Sequence, residues 1–356
     1  MIFRERLVDW YQKNKRELPW RNTKDPYLIW LSEIILQQTR VNQGLDYYLK
    51  FAERFPNVKS LAYAIQEEVF KLWQGLGYYN RAENMLSTAK IIVEEYGSQF
   101  PHDPDLLLKL PGIGPYTSAA IASIAFDIPV PVIDGNVYRV LARIFEIDTP
   151  VNTAKGTKVF YKHAEKLIDK DSPGIYNQAI MEFGALHCTP ANPDCITCIY
   201  RMECLAYSKG LVKKLPVKKL IGKLRSRFFY YFLIEIDLKG DRYVYIKKRV
   251  NSDIWKNLYD FVLFESEQSL IVNDDLISNK LQEEFGLKGV NVTKVSKEYR
   301  HRLTHQLIHA IFIKININKK IDHSNEKSLI LVNQNSLIDY PVPSLIERYL
   351  NDQKIL

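Results

Sequence analysis

Four cysteines constrain this chain more than any other residues. All four lie between Cys188 and Cys204 with the spacing C-x6-C-x2-C-x5-C, and the rest of the 356-residue chain has none. A disulfide framework would be spread over a small secreted chain. This one is long, and its opening Met1-Ile2-Phe3-Arg4-Glu5-Arg6 carries charges where a secretory leader would be apolar. Buried thiols acting as small hydrophobes would not crowd one loop. A metal centre remains. Structural zinc usually takes C-x2-C-type knuckles from separated segments, and here only Cys195 and Cys198 form such a pair. One loop supplying four thiolates suits a cubane iron–sulfur cluster. Spacing alone leaves both open.

Around this loop the chain changes character once. As far as about Tyr207, apolar residues recur at three- and four-residue steps between short Pro, Gly, Asp and Asn punctuation, a helical pattern. Asp25-Pro26 starts one helix, with Asp as N-cap and Pro in the first turn, running through Glu33 to Leu36. After a basic connector the period becomes two. Strands are expected over Phe228–Leu238 and Tyr243–Ile246, around 292–300 and over 306–317, with helices over 276–285 and from Ser344. The expected organisation is therefore an all-helical domain (1–208), a connector (209–227) and an α+β domain (228–356). A hydrophobic content of 46% excludes disorder, and no run nears the ~18 apolar residues of a membrane span. A soluble intracellular protein is expected.

The formal charge of +8 is localised. Lys209, Lys213, Lys214, Lys218, Lys219, Lys223, Arg225 and Arg227 occupy the connector with no acid among them, and these eight equal the whole excess. Such a strap suits a polyanion, although a solvated linker has the same composition.

Three segments can carry chemistry. Leu110-Pro111-Gly112-Ile113-Gly114-Pro115-Tyr116-Thr117 lies between a short helix and an apolar one. Gly112 and Gly114 would let backbone N–H groups approach an anion at the positive end of the second helix. This is the look of a helix-hairpin-helix, over about 105–126, though a tight turn between core helices reads the same way. Asp134 ends the extended Val130-Pro131-Val132-Ile133 and begins a helix. N-capping explains it on this stretch alone; the sharper role is a carboxylate that stabilises a positive charge. Glu33 sits in Leu28-Ile29-Trp30-Leu31-Ser32-Glu33-Ile34-Ile35-Leu36. It is either a desolvated acid holding its proton near neutral pH or a residue on a solvated helix stripe.

Taken together, Trp30-Leu31-Ser32-Glu33-Ile34-Ile35-Leu36-Gln37-Gln38-Thr39, Gly75-Leu76-Gly77-Tyr78-Tyr79, the hairpin, Asp134-Gly135-Asn136-Val137 and the cysteine loop closely resemble the MutY-type adenine DNA glycosylases. The resemblance covers residues 7–207 strongly and the remainder more weakly. It implies a two-lobed helix-hairpin-helix glycosylase fold with a C-terminal Nudix-like domain, one [4Fe-4S] cluster on Cys188, Cys195, Cys198 and Cys204, and a monomer acting on duplex DNA at adenine mispaired with 8-oxoguanine or guanine. Glu33 would protonate the flipped adenine and help activate water, and Asp134 would stabilise the sugar cation or a transient adduct. Tyr116 and Asn136 complete the implied catalytic set. Arg21, Gln37, Gln38, Tyr78, Gly112, Gly114, Thr304 and His305 are the implied DNA contacts, with Gln38 and Tyr78 entering the stack around the opposite base. Lyase-competent relatives carry a lysine just after the hairpin, where this chain has Tyr116. A phenol cannot form a Schiff base, so hydrolysis to an abasic site is expected.

The C-terminal domain departs from the hydrolases it resembles. Glu283-Glu284-Phe285-Gly286-Leu287 matches the end of the Nudix signature, but Asn279-Lys280 replace the expected Arg-Glu, and Glu265 and Ile271 stand at the earlier Gly and Glu positions. Holding Mg²⁺ around a diphosphate needs several clustered carboxylates, so binding without hydrolysis is expected. The family's lesion-reading Phe-Ser-His reads Leu303-Thr304-His305 here, and the loop 189–194 lacks the usual basic residues.

Overall fold

Short polar caps and apolar runs set the helix starts in this protein. The computed structural model describes residues 2–219, 224–251, 253–287, 290–303, 305–321 and 329–355. Its first twelve helices, in order, are α1 (Ile2–Asn14), α2 (Pro26–Leu36), α3 (Val41–Arg54), α4 (Val58–Ala62), α5 (Gln66–Trp73), α6 (Asn80–Glu95), α7 (Pro104–Leu107), α8 (Pro115–Phe126), α9 (Gly135–Ile144), α10 (Ala154–Leu167), α11 (Pro173–Leu186) and α12 (Leu205–Ser208). Asp25, Asp103, Asp134 and Thr153 each accept a backbone N–H of the helix they open, satisfying donors that the helix itself cannot. No helix among the described residues is long and apolar enough to cross a membrane.

Contacts divide the chain into residues 1–64 with 83–221, and residues 65–82 with 222–356. In the first unit, α2 packs on α3 and α8, and α11 packs on α1, α8 and α9. Helix α8 is built of small and apolar residues and is buried from Thr117 to Ile124, as expected of a helix with no polar face. Leu7, Tyr11, Val140, Leu141, Phe160, Ile180, Phe183 and Tyr200 form a core, against which Cys188, Cys198 and Cys204 pack.

Small residues permit the tightest of these packings. A Cβ on Gly184 of α11 would lie 2.7 Å from Asn136 Cβ and 3.0 Å from the Asn136 carbonyl oxygen. Gly184→Ala must therefore push α11 off the start of α9. The expected cost is about 1–3 kcal/mol, read as a lower thermal midpoint of the purified protein.

The second unit carries α5, the Gly75–Tyr79 turn and a sheet. Its strands are β1 (Arg225–Leu238), β2 (Asp241–Lys248), β3 (Tyr259–Asp260), β4 (Val262–Ser266), β5 (Asn291–Val295), β6 (Tyr299–Arg302), β7 (Gln306–Asn316) and β8 (Leu329–Asn333), with helices α13 (Asp274–Phe285) and α14 (Ser344–Asp352). The sheet runs β3-β2-β1-β7-β5, with β4 on β1, β6 on β7 and β8 on β2. Among the described residues only β1 and β7 pair in parallel, with Tyr231 opposite Phe312. Alternation along β1 explains the layers. Tyr230, Phe232 and Ile234 pack with Ile277, Leu281 and Phe285 of α13. Phe229, Tyr231 and Leu233 pack with Leu345, Ile346, Tyr349 and Leu350 of α14. The expected Nudix-like α+β architecture is present as a mixed sheet between helices. The strand expected over 292–300 is two strands, β5 and β6, and both pair with β7.

The basic connector is less uniform than its composition. Up to Lys219 it is tied to the first unit, since Val151 N donates to Val217 O (3.0 Å) and Asn152 exchanges bonds of 2.9 and 2.8 Å with the Lys219 backbone. Lys213, Lys214, Lys218 and Lys219 are exposed. Arg225 and Arg227 belong to β1, and Arg227 is buried, with Asp253 and Glu265 on its guanidinium. Lys223 lies outside the described residues.

Candidate active site and cysteine loop

A cavity of about 680 Å³ in the first unit gathers residues from five segments: Arg16 and Arg21, Glu33 with Gln37 and Gln38, Gly112 to Thr117, Asp134 to Asn136, and Met181 with Glu182. Every implied catalytic residue is there.

Glu33 owes its position to α2 being buried on nearly all sides. Ile29, Trp30, Leu31, Ile34 and Ile35 are at most 2% exposed and Glu33 itself 9%, so no solvated stripe exists at this position. Burial pushes its carboxyl up to about 7. The Asp134 charge adds to the shift, and a hydrogen bond from Tyr116 tempers it. The Tyr116 hydroxyl lies 3.5 Å from Met181 Sδ and close to both Glu33 and Asp134, and burial, with these two carboxylates adding, holds the phenol well above its ordinary range.

Asp134 is both a cap and a cavity carboxylate. Its Oδ1 accepts the N–H groups of Asn136 (2.9 Å) and Val137 (2.8 Å), and its Oδ2 accepts Asn136 Nδ2 at 2.6 Å. Burial raises its pKa, opposed by these bonds and by Arg139. Asn136 Oδ1 in turn accepts Arg139 Nη2 at 2.8 Å, and Arg139 also bonds Gly184 O and Cys188 O. One helix thus fixes the aspartate at its start and reaches the cysteine loop a turn later.

The hairpin forms as expected. Gly112 has φ +75, which favours glycine, and a Cβ there would meet Asn84 Cβ at 2.8 Å. Gly114 is extended and caps the 12-residue α8. Gln37 stitches α2 to the hairpin through Thr117 Oγ1 (3.2 Å). Gln38 is exposed at φ +57. Tyr78 is 46% exposed at φ +51 and belongs to the other unit, as does exposed His305 in the β6–β7 turn. Thr304 lies outside the described residues.

Sequence reasoning misses one feature. Glu182, 1% exposed, is clamped by two arginines: Arg16 Nε at 2.9 Å and Nη2 at 2.5 Å, and Arg21 Nη1 at 2.8 Å and Nη2 at 2.6 Å. Burial alone would raise its carboxyl, but the two guanidiniums hold it at about 2. Arg21, an implied DNA contact, therefore lines the cavity with its guanidinium on Glu182. Only a polar residue at helical spacing within α11 hints at this in the sequence.

The four cysteines ring a second, small pocket with Arg143, His187 and Tyr207. Among the described residues no three His, Cys, Asp or Glu side chains converge on a single metal-ion position. The donor set nonetheless fits a thiolate-bound group. Arg143 Nη1 is 3.4 Å from Cys188 Sγ, and the Tyr200 N–H is 3.4 Å from Cys198 Sγ, so sulfur already receives N–H donors. Arg143, 2% exposed, also holds the Thr189 and Pro190 carbonyls. Burial, with the other three cysteines adding, pushes the Cys198 thiol up to about 11.

Comparison with known proteins identifies the family. Residues 31–170 match the HhH-GPD superfamily of base excision DNA repair proteins, and residues 233–352 match the NUDIX domain. The adenine DNA glycosylase of Buchnera aphidicola subsp. Baizongia pistaciae is 34% identical over 346 residues, covering 96% of this chain and 95% of that protein. Its counterpart from Arabidopsis thaliana is 36% identical over 319 residues, 78% of this chain and 50% of that protein. Among solved structures, a thermostable thymine-DNA glycosylase aligns at TM-score 0.55 and 30% identity over 58% of this chain and 96% of its own. Endonuclease III in a non-covalent DNA complex aligns at TM-score 0.51 and 22% identity, over 59% and 95%, and shares the fold. The chain belongs to the HhH-GPD superfamily of base excision DNA repair proteins and, within it, to the adenine DNA glycosylases, enzymes that cleave the N-glycosidic bond.

Proposed function

We propose that this chain excises adenine paired with 8-oxoguanine or guanine and leaves an abasic site without cutting the strand. One observation carries the reading: a carboxyl with its pKa near 7 faces a capped aspartate across one cavity, and a phenol stands where a lyase would need an amine. Adenine within a duplex is out of reach, so it is first extruded into the cavity at a cost of a few kcal/mol. Glu33 then delivers its proton to the base, Tyr116 holds the Glu33 carboxyl in place, and Asp134 faces the positive charge that grows on the sugar. Gln37, Gln38, Gly112, Gly114 and Tyr78 would contact the backbone and the opposite base. His305 and Thr304 would read the lesion. In the second unit Lys280 pairs with Glu283 and Arg227 with Glu265, which supports a binding rather than a hydrolytic role for the Nudix-like fold.

Cys188, Cys195, Cys198 and Cys204 would hold a [4Fe-4S] cluster. When bound, it would supply four iron–thiolate bonds that tie the two ends of the 188–204 segment together.

Single-turnover assays on duplexes with adenine opposite 8-oxoguanine, guanine and thymine test the function. Adenine should be released opposite 8-oxoguanine or guanine faster than opposite thymine, with the strand intact and no borohydride-trapped adduct. A stoichiometric trapped adduct, or equal rates opposite thymine, would defeat the proposal. The same assay across pH carries a second expectation. Glu33 must be protonated to act, so the rate should fall as pH rises through about 7. A rate flat from pH 6 to 9 would remove Glu33 as the acid.

A further inference from the structure

His187 closes α11 and immediately precedes Cys188. Its ring is held firmly. It stacks on Phe183 at 5.1 Å and 20°, and it meets Trp10 edge-on at 6.1 Å and 75°. So oriented, the ring lines the small pocket shared by Cys188, Cys195, Cys198 and Cys204. Its Nε2 is buried and finds no hydrogen-bond partner among the described residues. Folded proteins seldom leave a buried ring nitrogen without one. Two N–H groups nearby already address sulfur, Arg143 Nη1 at Cys188 and the Tyr200 backbone N at Cys198. Asp194 lines the same pocket.

The geometry points to His187 Nε2–H as a hydrogen-bond donor to a sulfur of the cluster, an inference that rests on the cluster reading above. Thiolate and sulfide sulfurs only accept hydrogen bonds, so a nitrogen facing them is satisfied when it carries the proton. This residue then positions and tunes; it does not touch the base-excising chemistry. Reduction adds negative charge to the cluster, and much of that charge resides on sulfur. A fixed N–H dipole favours the more negative state and raises the midpoint potential.

Two variants separate the donor from the ring. His187→Phe keeps a ring to stack on Phe183 and removes the N–H. His187→Gln keeps an N–H near the position of Nε2. Holoproteins purified without oxygen are first assayed for iron and acid-labile sulfide, then titrated spectroelectrochemically. Wild-type protein labelled with ¹⁵N-histidine is examined by pulsed EPR in a paramagnetic cluster state. The expected results are a shift to more negative potential in His187→Phe, its substantial reversal in His187→Gln, and a histidine ¹⁵N coupling in wild type that His187→Phe lacks. Unchanged potential in a fully loaded His187→Phe protein, or the absence of histidine coupling in wild type, overturns the inference while leaving the cluster reading intact. If His187→Phe does not fold, the wild-type coupling decides alone. Wild-type protein devoid of iron and sulfide overturns the cluster reading, and this inference with it.

Discussion

Glu33→Gln should lose adenine excision by about 10²–10⁴-fold under single-turnover conditions while binding mispaired duplex as wild type does. Glutamine keeps the size and the hydrogen-bonding capacity of the side chain, so Tyr116 retains a partner and α2 its packing. It has no proton to give. The same substitution should stabilise the fold. Burial lifts the Glu33 carboxyl from 4.5 to about 7, a difference of about 3 kcal/mol between its two protonation states. The folded chain keeps this proton where the unfolded chain releases it, so wild-type stability falls as pH rises from 4.5 through 7 and the loss is complete above it. Glutamine does not titrate. Glu33→Gln should therefore gain thermal stability over wild type at pH 8 and lose that advantage near pH 4.5. Wild-type excision by the variant would end the general-acid assignment; an unchanged stability difference from pH 4.5 to 8 would show that the carboxyl titrates normally.

Asp134→Asn should slow excision by about 10²–10³-fold, the usual scale for removing one preorganised charge from a reacting centre. This variant separates two roles that the structure superimposes. Asparagine caps helices as well as aspartate does, and its side-chain oxygen can still accept the Asn136 and Val137 N–H groups, so only the bond from Asn136 Nδ2 to Oδ2 is lost. A merely structural Asp134 predicts a folded protein with a midpoint lowered only by the loss of that one bond, about 1–3 kcal/mol, and unimpaired excision. A carboxylate needed against a sugar cation predicts the same midpoint with the rate lost. Denaturation and single-turnover excision, measured on one preparation, decide between them.

How much of this is visible before folding depends on whether the signal is local. The start of α2 is written at Asp25-Pro26, the start of α9 at Asp134 and the last helix at Ser344, because a cap and its helix are neighbours in sequence. The period-two run from Phe228 onwards announces β1, although the strand begins at Arg225. The cysteines are legible because four thiols in one loop have few uses. The Glu182 clamp is not, because Arg16 and Arg21 lie 166 and 161 positions away and each alone reads as a surface charge. Arg227 misleads for the same reason. In a run of bases it looks solvated, and only folding brings Asp253 and Glu265 around it. Glu33 is the intermediate case. Its apolar neighbours suggest burial, but whether any face of α2 meets water is settled by α3 and α8, not by α2 itself.

The clamp on Glu182 has an electrostatic consequence for the proposed reaction. Two guanidiniums, Arg16 and Arg21, face two ionised carboxylates, Glu182 and Asp134, around the cavity wall. With Glu33 protonated, these formal charges sum to zero. When the proton moves to the base and the glycosidic bond opens, Glu33 becomes an anion and the sugar becomes a cation, while adenine departs neutral. The sum is still zero. The step moves charge across the cavity without creating any net charge there, which avoids the cost that a water-poor enclosure imposes on an uncompensated ion.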